Sequence, residues 1–317
     1  MNMLEIKNLN LSFNLENGLF QTLYDVSLSL KKGQIHALVG ESGCGKSMTA
    51  MSIIKLLPKK AVITSGEILF NNLDILKLSE AQMRNIRGSE IALIPQDPMT
   101  SLNPLYTVGD QILEIIKKDK TLSKSDAIKK AEEVLGLVKI PNPKEKMNSY
   151  PHELSGGMKQ RVIIAMALAT NAAIIIADEP TTALDVTIQA QIMKLLNEIK
   201  NEYNTSILLI SHDLGLVGEY ADKISVMYSG RIVENAPTKE FFTNTMHPYS
   251  KALMEALPAN CTSDILKTID GQPPSIQENI VGCRFSPRCD FCDKNLCSQI
   301  PLLQEKCENH LVACHKV

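Results

Sequence analysis

"QIHALVGESGCGKSMTAMSIIKLLP", Gln34 to Pro58, decides the fold. Ile35 to Val39 is an apolar run of strand length, Gly40, Gly43 and Gly45 follow at once, and from Lys46 apolar residues return at helical spacing until Pro58 stops the helix. A glycine turn between a buried strand and a helix leaves bare N–H groups at the positive end of the helix dipole, where an anion is stabilised. Lys46 and Ser47 complete the spacing G-x-x-x-x-G-K-S, which in a strand–turn–helix context reads as a phosphate cradle. Gly40, Glu41, Ser42, Gly43, Cys44, Gly45 and Met48 are then expected around the phosphates. Lys46 is placed to reach the β and γ oxygens, and the Ser47 hydroxyl to enter the shell of a Mg²⁺ ion.

Outward from this unit, "LEIKNLNLSF" (Leu4–Phe13) and "LYDVSLSL" (Leu23–Leu30) alternate apolar and polar residues on either side of Gly18. They read as antiparallel strands with one wet face. In the other direction, "TVGDQILEIIKK" (Thr107–Lys118) and "SKSDAIKKAEEVLGLV" (Ser123–Val138) are lysine-rich amphipathic helices, so a helical insertion is expected over about 90–162. The apolar strand "AAIIIADEP" (Ala172–Pro180), the helix "TIQAQIMKLLNEIK" (Thr187–Lys200) and the strand "TSILLISHD" (Thr205–Asp213) predict a parallel sheet covered by helices. "KISVMYSGRIVEN" (Lys223–Asn235) reads as a closing hairpin around Ser229–Gly230. The expected organisation is an α/β domain over 1–235, with a parallel sheet core, an antiparallel β subdomain and the helical insertion, followed by a proline- and cysteine-rich extension over 236–317.

Bulk properties narrow the chemistry. With 317 residues, 44% hydrophobic and 21% charged residues and a net charge of −2, the chain has the composition of a folded protein and gives no global reason to expect nucleic-acid binding. Glu5, Lys7 and three asparagines occupy Met1–Asn10, where a secretory leader requires an apolar run, so a cytosolic chain is expected. The most apolar stretch, Val162 to Ala177, is shorter than the roughly 20 residues of a membrane span and is interrupted by Thr170 and Asn171. Of eight cysteines, six lie between Cys283 and Cys314, which in a reducing compartment suggests metal before disulfide.

"IIIADEP" brings two acids to the end of a buried strand. Asp178 is placed to hold Mg²⁺ through water, and Glu179 to orient and deprotonate an attacking water. His212 follows another apolar strand, and Gln96 lies in the loop "IPQDP"; each would contact the γ-phosphate, water or Mg²⁺ if a nucleotide lies near, and each otherwise has an ordinary structural role. "SYPHELSGGMKQRV", Ser149 to Val162, doubles a glycine at a helix start that Ser155 alone can cap. Gly156 and Gly157 cost helix propensity there and add bare N–H groups that suit a phosphate.

Taken together these segments resemble the ATP-binding cassette ATPases over about residues 1–235. "LSGGM" (Leu154–Met158) is similar to that family's signature motif, with Met158 where many members carry glutamine. The resemblance implies head-to-tail packing of two cassettes, the signature turn of one, Ser155, Gly156 and Gly157, capping the γ-phosphate held by the other. It also implies Gln96 as the Q-loop residue, Ala183, Leu184 and Asp185 as the D-loop and His212 as the switch histidine. Phe13 is implied as the aromatic that stacks on adenine, with Phe20 and Tyr24 as neighbouring alternatives.

"IPQDPMTSLNP", "MHPYSKALMEALP" and the cysteine-rich tail are similar to ATPase subunits of bacterial oligopeptide and dipeptide importers, a group that includes nickel importers. That likeness implies an ATPase on the cytoplasmic face of the membrane, a second identical or homologous ATPase subunit, two membrane permease subunits and, indirectly, a solute-binding protein. The insertion and the segment after Gln96 would grip the permease. The tail implies a four-iron four-sulfur cluster on Cys283, Cys289, Cys297 and Cys314, with Cys292 as the alternative to Cys297. Zn²⁺ is the competing ligand, given the Cys289-x-x-Cys292 spacing with His310 and His315 near. A nickel or other small-solute importer, a soluble cassette ATPase of DNA repair or translation, and a nucleotide-binding scaffold are the alternative functions. The intact Lys46, Asp178, Glu179 and His212 argue against the scaffold.

Overall fold

A computed structural model describes residues 2–118, 121–182, 184–257, 268–278 and 280–317. The chain forms two compact units, Met1–Leu78 with Leu209–Val317, and Ser79–Leu208.

The first unit opens with β1 (Asn2–Leu15) and β2 (Gly18–Lys31), antiparallel, with Leu4 opposite Leu30 and Leu11 opposite Leu23. Leu4, Ile6, Leu9 and Leu11 are all buried, and the change from even to odd positions coincides with a register irregularity between Ile6 and Leu9, where Asn8 is left-handed at φ 46°. β3 (Ile35–Val39) is buried throughout and leads into α1 (Lys46–Ile53). β4 (Ala61–Phe70) pairs antiparallel with the free edge of β1, and β5 (Leu73–Asp74) follows, giving the order β2-β1-β4-β5.

Helix α1 stops at Ile53, short of the proline that its apolar spacing suggested as a terminator. Lys55 takes a left-handed conformation at φ 51°, Leu56 N donates to Met51 O at 3.0 Å and Lys55 N to Ser52 O at 3.2 Å. This is a Schellman-type stop built without glycine. Its backbone cost, about 1–2 kcal/mol, is offset because Lys55 Nζ donates to Leu76 O at 2.9 Å and Leu78 O at 2.8 Å.

The second unit runs α2 (Glu80–Ile86), β6 (Ile91–Ile94), α3 (Pro98–Ser101), α4 (Val108–Ile116), α5 (Lys124–Leu137), α6 (Pro143–Lys146), α7 (Gly156–Leu168), β7 (Ile174–Asp178), α8 (Val186–Tyr203) and the start of β8 (Ser206–Ser211). β6 and β7 are parallel, with Ile91 opposite Ile174, and Ser206 N on β8 donates to Ala173 O beside β7 at 3.0 Å. Helix α4 buries Val108, Ile112 and Ile116, and α5 buries Ala127, Ala131 and Leu135, the i, i+4 stripes their sequences carry. Thr107 and Asp110 cap α4 reciprocally.

The chain returns to the first unit along β8. It continues through α9 (Leu214–Tyr220), β9 (Lys223–Tyr228), β10 (Arg231–Pro237), α10 (Thr238–Thr243), α11 (Pro248–Glu255), β11 (Gln304–Cys307) and β12 (His310–Val312). β9 lies parallel to β3, His36 facing Lys223 and Val39 facing Val226, and antiparallel to β10 through the left-handed pair Ser229–Gly230. β12 pairs with β10, Val312 opposite Glu234, so the extension beyond residue 235 is stitched to this unit. The buried Glu234 carboxylate holds the join, accepting from Met246 N at 2.8 Å, His247 N at 3.0 Å and His310 Nε2 at 2.8 Å. Among the described residues no helix is long and apolar enough to cross a membrane.

Candidate functional site

The glycine turn of the first unit is shaped by its surroundings. Gly40 has φ +152°, and a Cβ there would stand 2.1 Å from Met227 O, while a Cβ on Gly45 would stand 2.7 Å from Leu23 Cδ2. At Gly40 the backbone leaves no room for a side chain, and at Gly45, where Leu23 could give way, the left-handed φ of +109° itself strains any side chain. Gly45 is also the left-handed cap of α1, so the helix N-terminus opens directly onto the loop. Lys46 is buried, its Nζ donating to Gly40 O at 2.8 Å and Glu41 O at 3.0 Å. The ammonium therefore rests on two loop carbonyls. Ser42 and Gly43 are exposed, Ser47 and Met48 half-buried, and Cys44 is buried, its thiol pKa pushed up by burial.

Of the three aromatic candidates, Phe13 and Phe20 face each other across the β1–β2 hairpin. Tyr24 instead lines a cavity of about 340 Å³ with Ser42, Gly43 and Cys44, and the Arg284 guanidinium lies 4.4 Å from its ring centroid. His212 is exposed directly after β8.

In the second unit Asp178 is the buried last residue of β7. Glu179 follows with φ 46°, a left-handed conformation uncommon for a non-glycine residue and characteristic of functional positions. Gln96 Nε2 donates to Glu179 Oε2 at 2.9 Å, and Thr182 Oγ1 donates to the same oxygen at 3.0 Å. Gln96 and Glu179, 83 residues apart, are thus brought together, and the carboxylate is aimed by two donors.

Ser155 caps α7, its Oγ accepting from Met158 N at 3.3 Å. A Cβ on Gly157 would stand 2.9 Å from Ile188 Cγ2, whereas on Gly156 its nearest neighbour would be Leu184 Cδ2 at an ordinary 3.6 Å. The fold itself accounts for Gly157 and not for Gly156. Asp185 is exposed at the start of α8 and makes no capping hydrogen bond, and Val186 beside it is 81% exposed. Ala183 lies outside the described residues.

In the tail Cys283, Cys289, Cys297 and Cys314 are half-buried free thiols, and Cys292 and Cys307 are exposed. Burial pushes Cys283 up to about 11 and also raises Cys289, and for both Cys297 and Cys314 are near enough to add to the effect. Cys283 N donates to Cys297 O at 2.9 Å. Among the described residues no three His, Cys, Asp or Glu side chains are gathered tightly enough to hold a single metal ion. His310, a neighbour in the zinc alternative, is engaged by Glu234, and His315 by Gln299 O at 3.1 Å.

The sequence reading missed Arg288, Arg284 and Tyr249. Arg288 forms a two-pronged ion pair with Glu41 of the glycine turn, and the Tyr249 hydroxyl accepts from Glu41 N at 2.9 Å. Contacts across more than 200 residues have no local signature; the hint was a pair of arginines lodged between two cysteines in "CRFSPRC".

A strand–glycine turn–helix holding a buried lysine, with a paired glutamine and glutamate at a second strand end, defines the class of phosphate-loop ATPases. Residues 23–182 match the ABC transporter family, and residues 233–297 match the family described as oligopeptide/dipeptide transporter, C-terminal region. The chain is 46% identical over 315 residues to the probable peptide ABC transporter ATP-binding protein y4tR of Sinorhizobium fredii (strain NBRC 101917 / NGR234), spanning 98% of this chain and 94% of the relative. It is 48% identical over 297 residues to the dipeptide transport ATP-binding protein DppD of Bacillus subtilis (strain 168), spanning 92% and 89%. With the oligopeptide transport ATP-binding protein OppD of Escherichia coli (strain K12) the identity is 44% over 315 residues, spanning 99% and 93%. Among solved structures, a dimeric post-hydrolysis ATP-binding cassette bound to ADP and Pi superposes with a TM-score of 0.67 at 28% identity, covering 74% of this chain and 99% of that one. The cbiO1 subunit of a Clostridium perfringens ABC transporter complex gives 0.67 at 30% identity, covering 77% and 91%. The chain belongs to the ABC transporter family.

Proposed function

We propose that this chain is the ATP-hydrolysing motor subunit of a bacterial importer of di- or oligopeptides, working as a pair of cassettes on the cytoplasmic face of two permease subunits. The observation that carries the ATPase reading is Glu179, left-handed and held by Gln96 and Thr182 at the end of β7. The peptide assignment rests on the relatives named above and on the match of residues 233–297.

In this reading the amides from Gly43 to Met48 take the phosphates at the α1 N-terminus. Lys46 exchanges its two loop carbonyls for β and γ oxygens. Glu179 then accepts a proton from the attacking water, Gln96 fixing the carboxylate while it does so. The buried Asp178 carboxylate and the Ser47 hydroxyl supply hard oxygen donors, and with Gln96 they are the residues that would hold Mg²⁺, which neutralises charge on the transferring phosphate. His212 is assigned the γ-phosphate contact.

Gly156 supports the paired arrangement, because among the described residues nothing stands close enough to require its missing side chain. The exposed Asp185 and Val186 belong to the same surface, facing the partner cassette. For the permease, the second unit offers an apolar groove of about 310 Å³ lined by Leu93, Pro95, Ile115, Ile163 and Met166, with exposed Leu105 and Tyr106 in the segment after Gln96.

The tail is assigned a four-iron four-sulfur cluster on Cys283, Cys289, Cys297 and Cys314. Four half-buried thiols in one neighbourhood fit a cluster whose irons are each bound by a separate cysteine, and the engagement of His310 by Glu234 disfavours the zinc alternative. Anaerobically purified protein is expected to be brown and to hold about four irons per chain, and to lose both on Cys283→Ser or Cys314→Ser; a colourless protein with stoichiometric zinc overturns this assignment. For the motor, Lys46→Ala is expected to abolish nucleotide binding. Glu179→Gln should keep binding while turnover falls on the order of a hundredfold or more. Near-normal hydrolysis by Glu179→Gln refutes its role as the base.

A further inference from the structure

Arg288 lies in the cysteine-rich tail, next to Cys289 and 247 residues from Glu41, yet it is spent on the glycine turn. Its side chain is 5% exposed. Nη1 donates to Glu41 Oε2 at 2.7 Å and Nη2 to Glu41 Oε1 at 3.0 Å, the fork geometry in which guanidinium and carboxylate match best. The remaining donors are aimed as well: Nε at Asp270 O at 2.9 Å, Nη2 at Ile269 O at 3.3 Å and Nη1 at the Tyr228 hydroxyl at 3.4 Å. A guanidinium with this many partners has one place to sit.

A second tether holds the same residue by its main chain. Tyr249, fully buried, accepts the Glu41 N–H at its hydroxyl, and its ring packs on Tyr228 at 4.6 Å and Phe285 at 5.4 Å between centroids. Phe285 stands three residues before Arg288, so both tethers share one aromatic support. Glu41 O in turn accepts from Lys46 Nζ at 3.0 Å. The links therefore run from the tail to Glu41 and from Glu41 to the lysine.

We infer that Arg288 and Tyr249 are positioning residues for ATP binding, fixing the side chain and amide of Glu41 and, through its carbonyl, the resting place of the Lys46 ammonium. Both act on the glycine turn from outside it, through Glu41. The inference rests on Gly40–Ser47 being the phosphate cradle. Stability alone is a poor reason for such a pair, since a buried ion pair is often no better than a well-packed apolar substitute, whereas its fixed geometry has a use beside a loop that must present its amides in one arrangement.

The test is steady-state ATP hydrolysis and equilibrium MgATP binding by the full-length protein. R288Q and E41Q are each expected to raise KM and Kd for ATP about tenfold or more with kcat within about threefold, R288K to restore part of the loss, and Y249F to show a smaller rise. Because both ends serve one interaction, the double variant R288Q/E41Q should be no worse than either single one. If R288Q does not fold, E41Q and Y249F carry the test from the loop side and the aromatic side. Unchanged ATP affinity in the soluble variants, with only a lowered melting temperature, overturns the inference, as do single effects that multiply in the double variant. Lys46→Ala separates the two readings: retained ATP binding there removes the cradle itself, whereas lost binding there with normal affinity in R288Q removes only the positioning role.

Discussion

Just before α1 a Cβ on Gly40 would stand 2.1 Å from a backbone oxygen, and at the start of α7 a Cβ on Gly156 would meet, among the described residues, nothing closer than a leucine methyl at 3.6 Å. Both helices begin on glycine turns, and both sequences announce an anion site. The first turn is enclosed by its own chain: Met227, Leu23, Tyr249 and Arg288 each fix part of it. Among the described residues the second is pressed only by Ile188 against Gly157; Ser155 is exposed, and half-buried Gly156 has no neighbour within a tight distance. A glycine that its own fold demands reports local packing. A glycine that its fold does not demand reports something that arrives from outside.

The sharpest way to break this comparison is Ser155→Arg, which crowds the outward turn with a bulky cation. When it is the only cassette present, hydrolysis is expected to fall on the order of a hundredfold while ATP binding by the phosphate loop stays intact. Full activity would mean that the α7 turn faces no nucleotide. A smaller effect separates the two α7 glycines. Gly157→Ala should lower stability by about 1–3 kcal/mol, because the new methyl presses on Ile188 and the helix must shift. Gly156→Ala should change stability by well under that, and denaturant midpoints of the two variants decide it; equal losses would remove the argument that only one glycine is structural.

The smallest expected effect concerns what lies beneath the first turn. His36 on β3 is fully buried, with Nδ1 2.7 Å from Ser29 O and Nε2 2.8 Å from Ser225 Oγ. Desolvation by burial lowers its pKa to about 4, and burial likewise lowers His247 to about 3. The folded protein thus resists a proton that the unfolded chain takes up near pH 6.5, so this contribution to stability is whole above pH 6.5 and is lost as the pH falls toward 4. Between pH 7 and 6 the loss is about 0.7 kcal/mol per histidine, and it should appear as a lowered melting temperature. A melting temperature independent of pH from 7 to 5 would contradict it.

Much of this was legible because the chemistry is local. The apolar runs of β3, β7 and β8 are fully buried strands, as their uninterrupted hydrophobicity requires, and the stripes of α4 and α5 point inward as spaced. Helix α1 ended early because Lys55 found two carbonyls that no local rule foresees. The attachment of the tail was hidden for the same reason. Glu234 reads as a polar strand residue until Met246, His247 and His310 converge on it, and Glu41 as the variable position of a loop motif until Arg288 arrives. Gln96 and Glu179 could each be named from sequence, but not the hydrogen bond that joins them.

The pairing of β3 with β9 also sets a timetable. Val39 and its partner Val226 are separated by the whole second unit, so a chain emerging from the ribosome presents β3 with no parallel neighbour on that side until residue 226 has been made. At about 5–20 residues per second that delay is on the order of ten seconds or more. During it the continuous stretch Ser79–Leu208 is fully available to fold, while Ile35 to Val39 remains an unpaired apolar edge of the kind that aggregates or recruits chaperones. Synthesis halted before β9 should therefore yield a soluble middle and an insoluble beginning, which makes the interval between the synthesis of β3 and that of β9 the most hazardous for this protein.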